Sequence, residues 1–258
     1  MKMNDRKPLI LISNDDGVQA KGVNALVDML SPLGDILVMA PDRARSGSAC
    51  GITPHDPVRY RVVEERPGVK VCACTGTPVD CVKLALEAEA GRQPALLASG
   101  INHGDNSSVS VHYSGTMGVV IEGCMKGIPS VGFSLCDFDA DADFSPAAPF
   151  VRGIAERVLR EGLPDGVCLN VNFPKAAGYA GVRVCRMAHG TWANEWCGAV
   201  HPRGYKYYWL TGNYVDLEPE QQDTDAYALR HGFVAVTPVQ IDMTAYQAMA
   251  GLKDLEKL

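Results

Sequence analysis

Read for alternation of apolar and polar positions, the chain opens on a short buried run that stops abruptly. Leu9 to Gly17, LILISNDDG, is an apolar stretch ended by an asparagine, two aspartates and a glycine, the pattern of a buried parallel strand running into a turn. Next, GVNALVDMLSPLG places Val23, Leu26, Val27 and Leu30 at helical spacing and breaks at Pro32 and Gly34. DILVMAPD reads as a second buried strand. Strand, helix and strand make a βαβ unit whose right-handed crossover brings the two strand ends together.

The same reading continues downstream. VRYRVV and VKVCACTG form a hairpin around RPG, and GTPVDCVKLALEAE begins a helix with Thr77 as N-cap, Pro78 at the first position and Asp80 at the third. ALLAS is a strand ending at Gly100, with Asn102 and Asn106 in the loop beyond. YSGTMGVVIEG starts a helix on Ser114, Gly115 and Thr116. PSVGFSLC, AAPFVRGIAERVLREG, VCLNVNFP and VRVCRMAHG give strand, helix, strand, strand, with the acidic run DFDADADF read as a solvated loop. It lacks the glycine and terminal glutamate of a calcium-binding loop.

From Thr191 the texture changes. WANEWCGAVHPRGYKYYWLTGNYVDLEPE holds all three tryptophans and reads as an extended β-arm, of the kind that packs on a partner. DTDAYALRHG makes a short helix, FVAVTP a strand and DMTAYQAMAGLKDL a closing helix with Thr244 as its cap. The fold class expected from the pattern is α/β, a parallel sheet flanked by helices. The change of texture divides the chain into residues 1–190, an α/β core, and residues 191–258, a β-arm, strand and helix expected to pack on that core and on a partner.

Composition narrows the function. With 258 residues, 47% of them hydrophobic and 21% charged, the chain is an ordinary globular protein. A net charge of −6 without a Lys/Arg cluster argues against a nucleic-acid polymer as partner. The N-terminal apolar run is too short for a signal peptide, and none approaches membrane-spanning length, so a cytoplasmic protein is expected. Its nine cysteines include no CxxC pair and read as reduced core thiols.

Three loops carry candidate chemistry. Asp15 and Asp16 end a strand where open α/β sheets bind ligands. Side by side they repel, and no Lys or Arg is nearer in sequence than Lys21, so either a metal ion is held there or Asn14, Asp15 and Asp16 supply turn and cap oxygens. The loop PDRARSGSACGITPHDP brings Arg43, Arg45, Ser46 and Ser48 close to those aspartates. Ser114, Gly115 and Thr116 make either a phosphate cradle or a helix cap.

LISNDDG, APDRARSGSACGIT, TGTPVDCVKLAL, SGINHGDNSS, YSGTMGVVIEG, LNVNFP and TDAYALRHGFVAVTP, in that order across nearly the whole chain, together resemble the SurE survival-protein family of metal-dependent nucleotidases. The resemblance implies a Rossmann-like α/β catalytic core over residues 1–190 and a C-terminal β-arm exchanged between the subunits of a homodimer, with a tetramer as the further assembly. It places the metal ligands on Asp15, Asp16, Ser46 and Asn102, with one Mg²⁺ or Mn²⁺ per subunit. Asn106 and the Ser114-Gly115-Thr116 turn fall on the phosphate side, beside Asn14 and Ser48.

One departure is local. Where many members carry an acidic pair and a glycine before YSGT, this chain has NSSVSVHYSGT, and His112 there is either a proton donor or a hydrogen-bonded structural residue. The implied reaction is hydrolysis of nucleoside monophosphates by a metal-oriented water, as a 5′-nucleotidase, with 3′-nucleotides and polyphosphate as further substrates. Asp15 or Asp16 assists proton removal, and Asn106 and Ser114 face the phosphoryl group.

Rival readings find less support. An aspartyl-phosphate enzyme wants a nucleophile where Asn14 stands, and a dinucleotide oxidoreductase wants GxGxxG where NDDG stands. A nucleotide-binding regulatory protein without turnover is the remaining alternative.

Overall fold

The structure is a computed structural model and describes residues 6–258. Strand β1 (Leu9–Ser13) is buried along its whole length. It is followed by α1 (Lys21–Leu30), β2 (Asp35–Pro41), the hairpin β3 (Tyr60–Arg66) and β4 (Val69–Cys74), α2 (Pro78–Ala88) and β5 (Leu96–His103). Then come α3 (Gly115–Met125), β6 (Ser130–Leu135), α4 (Ala148–Glu161), β7 (Val167–Phe173) and β8 (Val182–Val184). The arm is β9 (Gly190–Ala193), β10 (Trp196–Val200), β11 (Lys206–Leu210) and β12 (Asn213–Asp216). The chain closes with α5 (Asp225–Arg230), β13 (Val234–Gln240) and α6 (Tyr246–Met249).

Nine strands make one mixed sheet in the order β3-β4-β2-β1-β5-β6-β7-β13-β8. From β4 to β7 neighbouring strands run parallel, while β3 and β13 are antiparallel to β4 and β7. Both faces are covered, which is why the central strands are almost continuously apolar. Ile10 and Ile12 pack on the side of α1 and α4, whereas Leu9 and Leu11 pack on the side of α2 and α3.

The expected caps are present where the signal was local. Thr77 and Asp80 form a reciprocal capping box, Asp80 N donating to Thr77 Oγ1 at 3.1 Å and Thr77 N to Asp80 Oδ2 at 2.9 Å.

Elsewhere the structure differs from the reading of the sequence. Strand β5 does not stop at Gly100 but runs on to His103, with a register shift against β6 between Ser99 and Asn102. Gly100 permits the irregularity: it has φ +113°, and a Cβ there would lie 2.2 Å from the Phe133 carbonyl oxygen. Asn102 therefore sits on a strand rather than in a loop.

The closing helix is reduced to one α-turn and a 3₁₀ stretch over residues 250–257, and every residue from 242 to 258 is exposed instead of packed on the core. Thr244 does not cap it; its amide donates to Asp242 Oδ1. A segment with nothing to bury its apolar side chains against gains little from helix formation. Cys50 and Cys197 are exposed rather than core thiols, although Cys72, Cys74, Cys81, Cys124, Cys168 and Cys185 are buried. No described helix is long and apolar enough to cross a membrane.

Candidate active site

The site forms at the carboxyl ends of β1 and β5 and the amino end of α3. Gly17 has φ +100°, and a Cβ there would fall 3.1 Å from the Arg43 carbonyl carbon, so the loop after β2 lies directly on the NDDG turn. Arg45 N donates to Asp15 O at 2.7 Å and Val18 N to Pro41 O at 2.8 Å. Those bonds bring Ser46 to the cleft.

Asp15 is 4% exposed and turned toward α3. Thr116 Oγ1 donates to its Oδ1 at 2.7 Å, and the Gly115 amide adds a second hydrogen bond. Residue 115 must be glycine because a Cβ would lie 2.6 Å from Asp15 Cβ. Burial, aided by the neighbouring Asp16 charge, pushes the Asp15 carboxyl up to about 6 despite the Thr116 hydrogen bond. Asp16 is also raised by burial, and its Oδ2 accepts from His103 N at 3.3 Å. No Lys or Arg among the described residues figures in either shift.

The asparagines are oriented by their own amides. Asn102 Nδ2 donates to the carbonyls of His103 at 3.2 Å and Gly104 at 2.8 Å, which leaves Oδ1 as the donor atom for a ligand. Asn106 is held within a polar layer that crosses β6 and β7: its Nδ2 donates to Ser134 Oγ at 2.8 Å and its backbone N to Asn172 Oδ1 at 2.8 Å. Asn170 Nδ2 donates to Asn106 O at 2.8 Å. Ser114 caps α3, accepting from Met117 N at 3.0 Å.

Asp15, Ser46, Asn102, Asn106 and Ser114 line one cleft of about 640 Å³. Asp16 reaches its wall through His103. The other sequence candidates lie elsewhere. Asn14 is buried and its Nδ2 holds Gly17 O at 3.0 Å, so it is a turn residue. Ser48 Oγ is buried without a partner and away from the cleft wall. Gly115 and Thr116 are turned to Asp15, Thr116 is fully buried, and neither is among the residues lining the cleft. His112 points into a separate cleft beside Arg186 and His189, because the 3₁₀ turn of residues 108–112 directs it away from Ser114.

Sequence reasoning also missed several wall residues. Asp105, Tyr113 and Phe138 line the cleft, as do Trp192, Glu195, Leu210 and Thr211 from the arm. The arm's root is fixed there: β9 pairs with β12, and Tyr214 OH donates to Ser108 Oγ at 2.7 Å. Asp225, buried, accepts from Ser108 N at 2.8 Å and Ala188 N at 2.9 Å and ties the cleft loop to the arm. Asp225 opens α5 directly after its N-cap Thr224, and no local signal in the sequence marks it for these long-range bonds.

The donor set fits a hard divalent cation. Among the described residues no three His, Cys, Asp or Glu side chains converge as a metal cluster, so any ion here relies on two carboxylates with hydroxyl and amide oxygens. Two adjacent carboxylates raised by burial, with His103 beside Asp16 and no Lys or Arg acting on either, leave a charge that a cation would neutralise.

The model of the family described as Survival protein SurE matches residues 10–194. The chain belongs to the SurE family. A 5′-nucleotidase SurE of Phocaeicola vulgatus is 59% identical over 252 residues, covering 98% of both chains. A 5′-nucleotidase SurE of Bacteroides thetaiotaomicron is 55% identical, covering 95% of this chain and 94% of that one. The crystal structure of the SurE protein from Aquifex aeolicus superposes with a TM-score of 0.83 at 34% identity, covering 96% of this chain and 100% of that chain. The SurE match of residues 10–194 takes in every proposed ligand, while most of the arm lies beyond it.

Proposed function

We propose that this SurE-family chain is a metal-dependent nucleotidase that hydrolyses nucleoside monophosphates to nucleoside and phosphate. The observation that carries the reading is one cleft lined by Asp15, Ser46, Asn102, Asn106 and Ser114, in a chain 59% identical to a 5′-nucleotidase SurE. Asp15, Asp16, Ser46 and Asn102 would hold one Mg²⁺ or Mn²⁺. When bound, such an ion polarises a phosphoryl oxygen and makes a coordinated water more acidic.

The chain's own residues supply the rest. Thr116 and Gly115 hold the Asp15 carboxylate in one orientation, and His103 N orients Asp16. Either aspartate can take the proton of the attacking water. Asn106 and Ser114 face the phosphoryl group, with the amino end of α3 favouring its negative charge.

The cytoplasm is the proposed location. A homodimer or tetramer is supported by the exposed Trp196, Val200, Tyr208 and Trp209 on the arm hairpin. The deciding experiment is a phosphate-release screen over 5′- and 3′-nucleoside monophosphates and polyphosphate with Mg²⁺, Mn²⁺ or EDTA. Metal-dependent release supports the reading. Nucleotide binding without release would instead make the chain a regulatory binding protein.

A further inference from the structure

The acidic run after β6 is not used by the hydrolysis itself. Asp137 Oδ1 and Asp139 Oδ2 both accept from Lys175 Nζ, at 2.9 and 2.6 Å. Asp139 N donates to Asp137 Oδ1 at 3.1 Å, Asp137 N to Leu135 O at 2.6 Å and Gly104 N to Asp137 O at 3.2 Å. Both neighbours of Phe138 are thereby pinned, yet Phe138 is 80% exposed. The braced backbone thus holds a large apolar ring with most of its surface open to the cleft and to water.

The ring lies against residue 104. A Cβ on Gly104 would sit 2.3 Å from Phe138 Cε1, so glycine there lets the phenyl group rest on the exit of β5 between Asn102 and Asn106. Phe138 lines the same cleft as Asp15, Ser46 and Ser114, and Tyr113 and Trp192 add aromatic surface to that wall. A cavity with carboxylate, hydroxyl and amide oxygens together with flat aromatic faces fits a molecule that carries a phosphate and a planar ring.

We propose that Phe138 is the platform on which the base of the nucleotide stacks, presented by the Asp137–Lys175–Asp139 brace. The proposal rests on the nucleotidase reading and names the residue that distinguishes a nucleotide from a phosphate ester without a base. A phenyl face offers no hydrogen bond, so it accepts every base and favours purines through their larger surface.

The test measures kcat and KM for adenosine and cytidine 5′-monophosphate in wild type, Phe138→Ala and Phe138→Trp, with inhibition by inorganic phosphate as the control. Phe138→Ala is expected to raise KM about tenfold, more for the purine, with kcat held within about twofold and phosphate inhibition unmoved. Phe138→Trp is expected to restore KM. An unchanged KM in Phe138→Ala, or a loss that Phe138→Trp does not restore, overturns the platform alone. Absence of phosphate release from every nucleoside monophosphate in wild type overturns the nucleotidase reading, and the platform falls with it.

Discussion

Thr116 Oγ1 donates to Asp15 Oδ1 at 2.7 Å across 101 residues of sequence, tying the first turn of α3 to the end of β1. A fully buried hydroxyl committed to a carboxylate fixes where the carboxylate's other oxygen points. Thr116→Val keeps the shape and removes the donor, a charge-assisted bond worth about 1.5–3 kcal/mol. We expect about a tenfold fall in kcat/KM and weaker Mn²⁺ binding by calorimetry. Thr116→Ser should restore both, and a valine variant that binds metal normally would remove Thr116 from the positioning of Asp15.

Asp15→Asn should abolish phosphate release while keeping the fold. Burial raises the carboxyl from 3.8 to about 6, so the folded chain holds a proton that the unfolded chain has lost between those values. Stability from this group is therefore full below pH 3.8, falls as pH rises to about 6, and stays reduced at pH 7, by about 3 kcal/mol at most. The asparagine variant should melt at or above the wild-type temperature at pH 7 without metal. It should also lose the rise in melting temperature that Mg²⁺ or Mn²⁺ gives the wild type. Metal-dependent turnover in this variant would sink the metal-site assignment.

Acid should loosen the root of the arm. Arg186, chiefly, and the His189 amide lower the Glu218 carboxyl from 4.5 to about 2. A depressed carboxyl contributes stability that is present above pH 4.5 and lost as pH falls toward 2. Glu218→Gln should lower the melting temperature slightly at pH 7, and its curve should meet that of the wild type near pH 2. Parallel curves over that window would assign the acid sensitivity to other groups.

The arm hairpin predicts assembly. Replacing Tyr208 and Trp209 by serine removes two exposed aromatic side chains while leaving the β10–β11 backbone pairing possible. Light scattering is expected to shift from dimer or tetramer toward monomer. An unchanged mass would place the subunit contact elsewhere.

Local signals were the ones readable in advance. LILIS, the Thr77–Asp80 box and the Ser114 cap follow from neighbouring residues, and each is present. Side-chain direction was not readable, because it is set by contacts distant in sequence. Thr116 turned to Asp15 and away from the cleft wall, and His112 turned into another cleft. The aromatic wall was equally hidden, since Phe138 reaches the site through a bracing lysine that follows it by 37 residues in the sequence. The β-arm was legible as an arm, but not the return of Trp192 and Leu210 to the cleft of their own chain.

The overrun of β5 sets a limit on how this protein can change in evolution. Ile101 packs in the α1–α4 core, and a Cβ on Gly22 of α1 would fall 1.9 Å from its carbonyl oxygen. Asn102 follows on the next position of the pleat. Loops around such sites usually tolerate insertions and deletions, but one residue gained or lost here would reverse the faces and drive the amide away from the cleft. The tripeptide from Gly100 to Asn102 is thus a segment whose length this cleft fixes, flanked by surface loops on which the packing sets no such limit.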